Sequence, residues 1–262
     1  MQFAFDLISD LHVDQWQSFD WTNQATSPVC VVAGNAALGH KATVDVLRHL
    51  SQCYQAVFYI DGCVEHNHYQ TNLFYSYRQL TEKLSHIPKV VYLQDNVVVL
   101  NGVALLATNG WWNFDFDTSI DTELAESWYM NKTSADDIAV EQIKNMAEFD
   151  TRYMINGIRR LQTHTDVKRI VIITHTVPDP ALIDHDISLY QTPEFNSMGN
   201  RAMMQAMAAD TENKICTWCF GHYRGSVDQI RSGIRFVNNP RGGPHDPYPQ
   251  LTYFPRRITV EI

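Results

Sequence analysis

Five apolar, β-rich runs, FAFDLIS, VCVVAG, AVFYID, IVIITH and ICTWCFG, each end in a short polar motif, and helix-period stretches lie between them. Unbroken apolar runs of this length suit strands covered on both faces, and strands alternating with helices build layered α/β domains. Weaker strand candidates are VVYL, NVVVLNGVALLAT, IRFVNN and RRITVEI. The helical stretches are ATVDVLRHLSQC, NLFYSYRQLTEKLSH, ADDIAVEQIKNMAEFDTRYMINGIRRLQ and NRAMMQAMAAD. In α/β sheets the residues just past the strand ends collect along one edge, where such folds bind ligands. The polar side chains of the five motifs are therefore predicted to meet there. With 262 residues, and without a linker, low-complexity tract or internal repeat, residues 1–262 are expected to form one domain.

Composition narrows the function classes. A net charge of −9 repels a polyanion, which argues against an extended nucleic-acid groove and leaves room for a small phosphate pocket. Apolar runs fall short of the roughly 20 residues that span a bilayer, so no membrane partner is expected. The opening MQFAFDLISDLH has no Lys or Arg before its apolar stretch, which argues against a secretory signal and for a strand beginning at Met1. The five cysteines, Cys30, Cys53, Cys63, Cys216 and Cys219, are odd in number and lack disulfide-framework spacing, so reduced thiols in a cytoplasm are expected. Cys216 and Cys219 match C-x-x-C, but positions three apart on a strand face opposite ways, so both read as packing residues.

The motifs themselves are Asp10-Leu11-His12, Gly34-Asn35, Gly62-Cys63-Val64-Glu65, Thr174-His175-Thr176 and Gly221-His222-Tyr223-Arg224. In order and spacing they resemble the calcineurin-like metallophosphoesterase family, whose pattern reads D-x-H, G-D, G-N-H-E, a strand ending in H, and G-H-x-H. NGVALLATNGWWNF, SMGNRAM and FVNNPRG extend the resemblance over nearly the whole chain. The resemblance implies an α/β four-layer sandwich of two packed mixed β-sheets flanked by helices. It also implies two adjacent metal sites, of the kind that hold a phosphate ester and generate a hydroxide nucleophile. By position, Asp10 and His12 match first-metal ligands and Asn35 stands where a carboxylate bridges both metals. Cys63 replaces an asparagine ligand of the second metal, whose other ligands match His175 and His222. Arg224 replaces the histidine that completes the first site, and Val64 replaces the histidine that helps protonate the leaving group. Glu65 matches a position with a structural role.

These departures carry chemistry. Asn35 offers a neutral oxygen where two close dications need a bridging charge. Arg224 puts a permanent cation where a ligand belongs, and a guanidinium does not deprotonate to coordinate. It is expected instead to enter the cleft and hydrogen-bond Asp10, in one or two contacts, leaving Asp10 and His12 without metal. His175, His222 and Cys63, with Asn35 or water as a fourth ligand, are the donor types zinc prefers, so the surviving site holds either one zinc-like divalent ion or none.

Other residues read more plainly. His66 and His68 are expected as a surface-loop pair, Asp14 and Asp61 as solvated turn carboxylates, and Trp111 and Trp112 as anchors to the core. Residues 109–132 and 188–199 are expected to be irregular, the first packing on the domain or covering a cleft. Two functions stay open. One is a diverged protein, weak or inactive as a phosphoesterase, whose cleft takes a small phosphorylated or anionic ligand or a protein partner. The other is a phosphoesterase with one metal, in which the Arg224 charge supports the transition state. An unrelated α/β binding protein would need five ordered coincidences.

Overall fold

The computed structural model describes residues 2–67, 72–133, 138–246 and 250–262. In chain order its elements are β1 (Gln2–Ile8), β2 (Val29–Ala33), α1 (Gly39–Cys53), β3 (Ala56–Ile60), α2 (Leu73–Ser85), β4 (Val90–Tyr92), β5 (Asn96–Leu100) and β6 (Val103–Ala107). They continue as α3 (Thr122–Lys132), α4 (Val140–Gln162), β7 (Arg169–Ile173), α5 (Met204–Ala208), β8 (Ile215–Phe220), β9 (Asp228–Arg231), β10 (Ile234–Asn238) and β11 (Arg256–Glu261). Two mixed sheets result, one ordered β11-β1-β2-β3-β4 and the other β5-β6-β7-β8-β10-β9.

Strand alternation sorts the apolar residues into three layers of core, because neighbouring side chains point to opposite faces. Val31 and Ala33 of β2 turn inward with Phe5, Leu7, Phe58 and Ile60 to meet Leu105, Val171, Ile173 and Val237 of the second sheet. Cys30 and Val32 turn outward, onto Leu47 and Leu50 of α1 and Leu80 and Leu84 of α2. On the far side, Leu106, Ile172, Trp218 and Phe220 receive Met154, Ile158 and Leu161 of α4. Helix, sheet, sheet and helix thus stack as the expected four layers.

Parallel registers set the functional edge. Ala33 pairs with Ile60, and Ala107 with Ile173, which pairs with Cys219. Each of these strands therefore hands its following loop to the same rim. Two expectations change and one strand is new. Residues 109–132 include α3, whose apolar positions are too scattered to reveal a helix, and β9 is an edge strand of the half-exposed sequence DQIR. The stretch expected as a helix at 200–210 is a 3-10 turn at Arg201–Met203 followed by the short α5. Met1, His68 and residues 134–137 at the expected start of the fourth helix lie outside the described residues.

Candidate functional site

The motif residues converge at that rim, four of them on strained backbone. Asp10, His12, Asn35 and His222 have φ of 50°, 42°, 52° and 63°, in the left-handed region where a side chain costs energy. Four such residues in one place mark a constellation held by its surroundings.

Around Asp10 several protein donors converge. Asn35 Nδ2 donates to Asp10 Oδ1 at 3.1 Å, and the His222 amide donates to both Asp10 oxygens at 3.2 and 3.0 Å. Arg224 Nη1 reaches Asp10 Oδ1 at 3.2 Å and His12 Nε2 at 2.6 Å. The expected contact between Arg224 and Asp10 is thus made by one nitrogen, because Nε is drawn 3.3 Å from Asp246 Oδ2 on the opposite side. Burial pushes Asp10 above the usual carboxylate range, and the Arg224 charge opposes that shift. Burial and then the adjacent Arg224 cation push His12 down to about 2, which keeps its Nε2 lone pair free to accept from the guanidinium.

A second cluster lies beside the first. Cys63, His175 and His222 each present one ligand atom, all within 4.8 Å of one another. His175 Nδ1 faces the Ala33 carbonyl at 2.9 Å, so Nδ1 carries the proton and Nε2 a lone pair. That Nε2 is buried and has no hydrogen-bond partner among the described residues. His222 Nε2 faces the Ser197 carbonyl at 3.1 Å, which leaves Nδ1 as its lone-pair nitrogen. Carbonyls that set imidazole tautomers are the usual outer partners of metal-binding histidines. Desolvation lowers His175 to about 4 and His222 to about 3, so both rings stay neutral as metal binding requires. Burial holds the Cys63 thiol up at about 12, so a thiolate there needs a cation. The donor set of one sulfur and two imidazole nitrogens fits a zinc-like ion. Asn35 Oδ1 lies 3.6 Å from Cys63 Sγ but already accepts from the Cys63 and Val64 amides at 3.0 and 3.3 Å.

His66 and Asp61 correct the sequence reading. His66 is fully buried, with Nε2 2.8 Å from Asp61 Oδ2 and Nδ1 2.7 Å from Ser76 Oγ. The 3-10 turn Val64–His66 folds it inward against α2, so it is no surface histidine. Asp61 is equally buried and takes hydrogen bonds from Tyr92 and Asn109 as well. Burial opposes its ionisation, yet His66 and these donors together hold it below the ordinary value. Asp14 remains an exposed turn carboxylate that accepts from the Leu38 amide. Glu65 is structural as expected: buried, it accepts from the Ala36 and Gly62 amides and the Tyr59 hydroxyl.

Trp111 and Trp112 anchor residues 109–114 in the core, and Trp112 also stacks on the His222 ring with centroids 5.5 Å apart at 17°. Asn109 and Asp246 were not anticipated as site residues. Asn109 follows β6 as the motifs follow their strands, so its position was a usable signal, whereas Asp246 lies in a Pro- and Gly-rich loop with none. Above the clusters opens a cleft of about 450 Å³, lined among others by Cys63, Glu194, Met198, Tyr223, Arg224 and Asp246.

No protein-family model matches the sequence, and no curated protein matches it. Solved structures do. The phosphopantetheinyl hydrolase PptH from Mycobacterium tuberculosis superposes with a TM-score of 0.71 over 97% of this chain and 95% of its own, at 17% identity. A candidate 5′-nucleotidase from Staphylococcus aureus, in complex with alpha-ketoglutarate, gives 0.50 over 92% of this chain and 49% of its own at 12% identity. GAP50, the anchor in the inner membrane complex of Plasmodium, gives 0.50 over 95% and 74% at 11% identity. With two packed mixed sheets and the strand-end motifs gathered on one rim, the chain has the calcineurin-like metallophosphoesterase fold.

Proposed function

We propose that this chain is a diverged metallophosphoesterase-like protein that has lost two-metal hydrolysis. Its cleft binds a small phosphorylated or anionic ligand beside a single zinc-like ion on Cys63, His175 and His222. One observation carries the reading: Arg224 Nη1 lies within 3.2 Å of Asp10 and 2.6 Å of His12, so a fixed cation stands between the two residues that would hold a first metal. Asn35 agrees with it, since its amide donates to Asp10, where a second carboxylate without metal would repel. Val64 supplies no proton. When bound, the ion would supply Lewis acidity and positive charge to the cleft. Arg224, with 27% of its side chain exposed, lines the cleft and attracts the anion. Five free thiols suit a reducing compartment, and we place the protein in the cytoplasm.

A second reading follows from the same exposed guanidinium. Arg224 could stabilise a phosphoryl transition state as a second metal does, which would make the chain a one-metal phosphoesterase. Metal analysis of protein purified without chelator, followed by assay on bis(p-nitrophenyl) phosphate, separates the two. About one zinc per chain without turnover is expected, and turnover abolished by Arg224→Gln would establish the hydrolase instead. Two metals per chain would refute both. Asn35→Asp, Cys63→Asn, Val64→His and Arg224→His combined should create a second metal site, which calorimetric titration with manganese would register.

A further inference from the structure

A second pocket, of about 220 Å³, opens where residues 19–24 meet residues 251–254, and it shares no lining residue with the cleft. Phe19, Trp21, Tyr253 and Phe254 line it beside polar side chains. Phe19 and Trp21 stack with centroids 5.8 Å apart at 25°, Tyr253 lies 5.9 Å from Trp21, and Phe254 is well exposed. The Tyr253 hydroxyl is committed to Ser9 and Asn239, so that ring presents carbon to the pocket.

Arg241 is the cation in this lining. One face of its guanidinium lies over Trp16, 4.1 Å from the ring centroid, and Trp16 is held by its indole N–H to the Gly242 carbonyl at 3.1 Å. Among the described residues no carboxylate lies within ion-pair distance of Arg241, and its Nε is buried without an acceptor. Arg224 shows the contrast, with a carboxylate on each side. Asp20 lines the same pocket but turns to His49 at 3.7 Å, with 75% of its side chain exposed. Desolvation lowers the Arg241 pKa, and a guanidinium stays protonated in proteins, so the cation persists. A fixed, partly desolvated cation without a counter-charge is unfavourable by itself, and an anion delivered by a ligand offsets that cost.

We propose that this pocket is a binding site for a small aromatic carboxylate, its acid group on the Arg241 guanidinium and its ring against Phe19 and Phe254. A planar carboxylate matches the two-pronged edge of a guanidinium, and its single charge matches the single cation. A phosphate dianion would bring a second charge to a single cation with Asp20 in the same lining, on a protein already at −9.

Titration with phenylacetate, followed by tryptophan fluorescence and by saturation-transfer NMR, tests the site. Saturable binding near the millimolar range is expected for a ligand this small. Arg241→Gln should weaken it at least about tenfold, Arg241→Lys by less, and Asp20→Asn should tighten it about twofold. Phenylacetamide, isosteric but neutral, should bind at least about tenfold more weakly, and inorganic phosphate should not displace phenylacetate. Urea midpoints confirm that each variant is folded. Absence of saturable binding to the native protein would overturn the proposal, as would equal affinity for phenylacetamide, displacement by phosphate, or undiminished binding to folded Arg241→Gln.

Discussion

At the scale of single residues, two side chains determine what this cleft can do. Arg224 neutralises a carboxylate that has no access to water, so deleting the guanidinium leaves Asp10 buried and uncompensated. Arg224→Met should therefore cost about 3 kcal/mol in urea unfolding, and Asp10→Asn added to it should recover much of that loss. A double variant no more stable than Arg224→Met would show that the pair is not the cause. Cys63 is the other. If the cluster of Cys63, His175 and His222 holds zinc, Cys63→Ala should weaken it by about two orders of magnitude or more, measured by competition with a fluorescent chelator. His12→Ala should change zinc affinity by no more than about threefold, because His12 accepts from Arg224 instead. The opposite ranking would return the metal to Asp10 and His12.

Among the elements, the turn from β2 into α1 sets the site's geometry. Gly34 has φ +83°, and a Cβ there would lie 2.3 Å from His175 Nδ1 and 2.9 Å from the Asp61 carbonyl. Gly34→Ala should cost about 3 kcal/mol and lower zinc affinity as well, since the clash falls on the nitrogen that bonds Ala33. Gly39, at the start of α1, has a similar φ of +73° but open space around it. Gly39→Ala should cost only about 1 kcal/mol and leave zinc affinity unchanged. Comparing the two by chemical denaturation separates crowding at the site from backbone strain. Equal costs would mean that the approach of His175 to Gly34 matters little.

Over the whole molecule, stability couples to pH through histidines kept neutral by burial. His40, in α1, bonds Ser76 of α2 at 2.9 Å, and its pKa is lowered from 6.5 to about 4 by burial, then by His66 and Lys83. The unfolded chain protonates this ring near pH 6.5 and the folded chain only near 4, so its contribution is complete above about 6.5 and is lost as pH falls toward 4. His40→Gln keeps a partner for Ser76 without titrating. The stability advantage of the native protein over this variant should shrink by about 2 kcal/mol between about pH 7 and pH 5. Urea midpoints of both proteins at the two pH values measure this, and a pH-independent difference would sink the argument.

Much of the architecture was legible in the chain itself. Alternation within VCVVAG or IVIITH dictates which side chains enter the inter-sheet core and which meet a helix. Parallel strands then deliver their trailing motifs to one rim, a consequence of local periodicity. The substitutions at positions 35, 63, 64 and 224 were equally readable, because coordination chemistry depends on residue type. Only the tertiary structure decided where the Arg224 cation rests, which nitrogen of His175 and His222 keeps a lone pair, and that His66 and Asp61 are buried. It also decided that Arg241 lies over Trp16 and lines one pocket with Phe19, with no carboxylate in ion-pair distance among the described residues. These outcomes depend on contacts between segments far apart in sequence, where the path of the whole chain selects a side chain's neighbours and its own residue type does not.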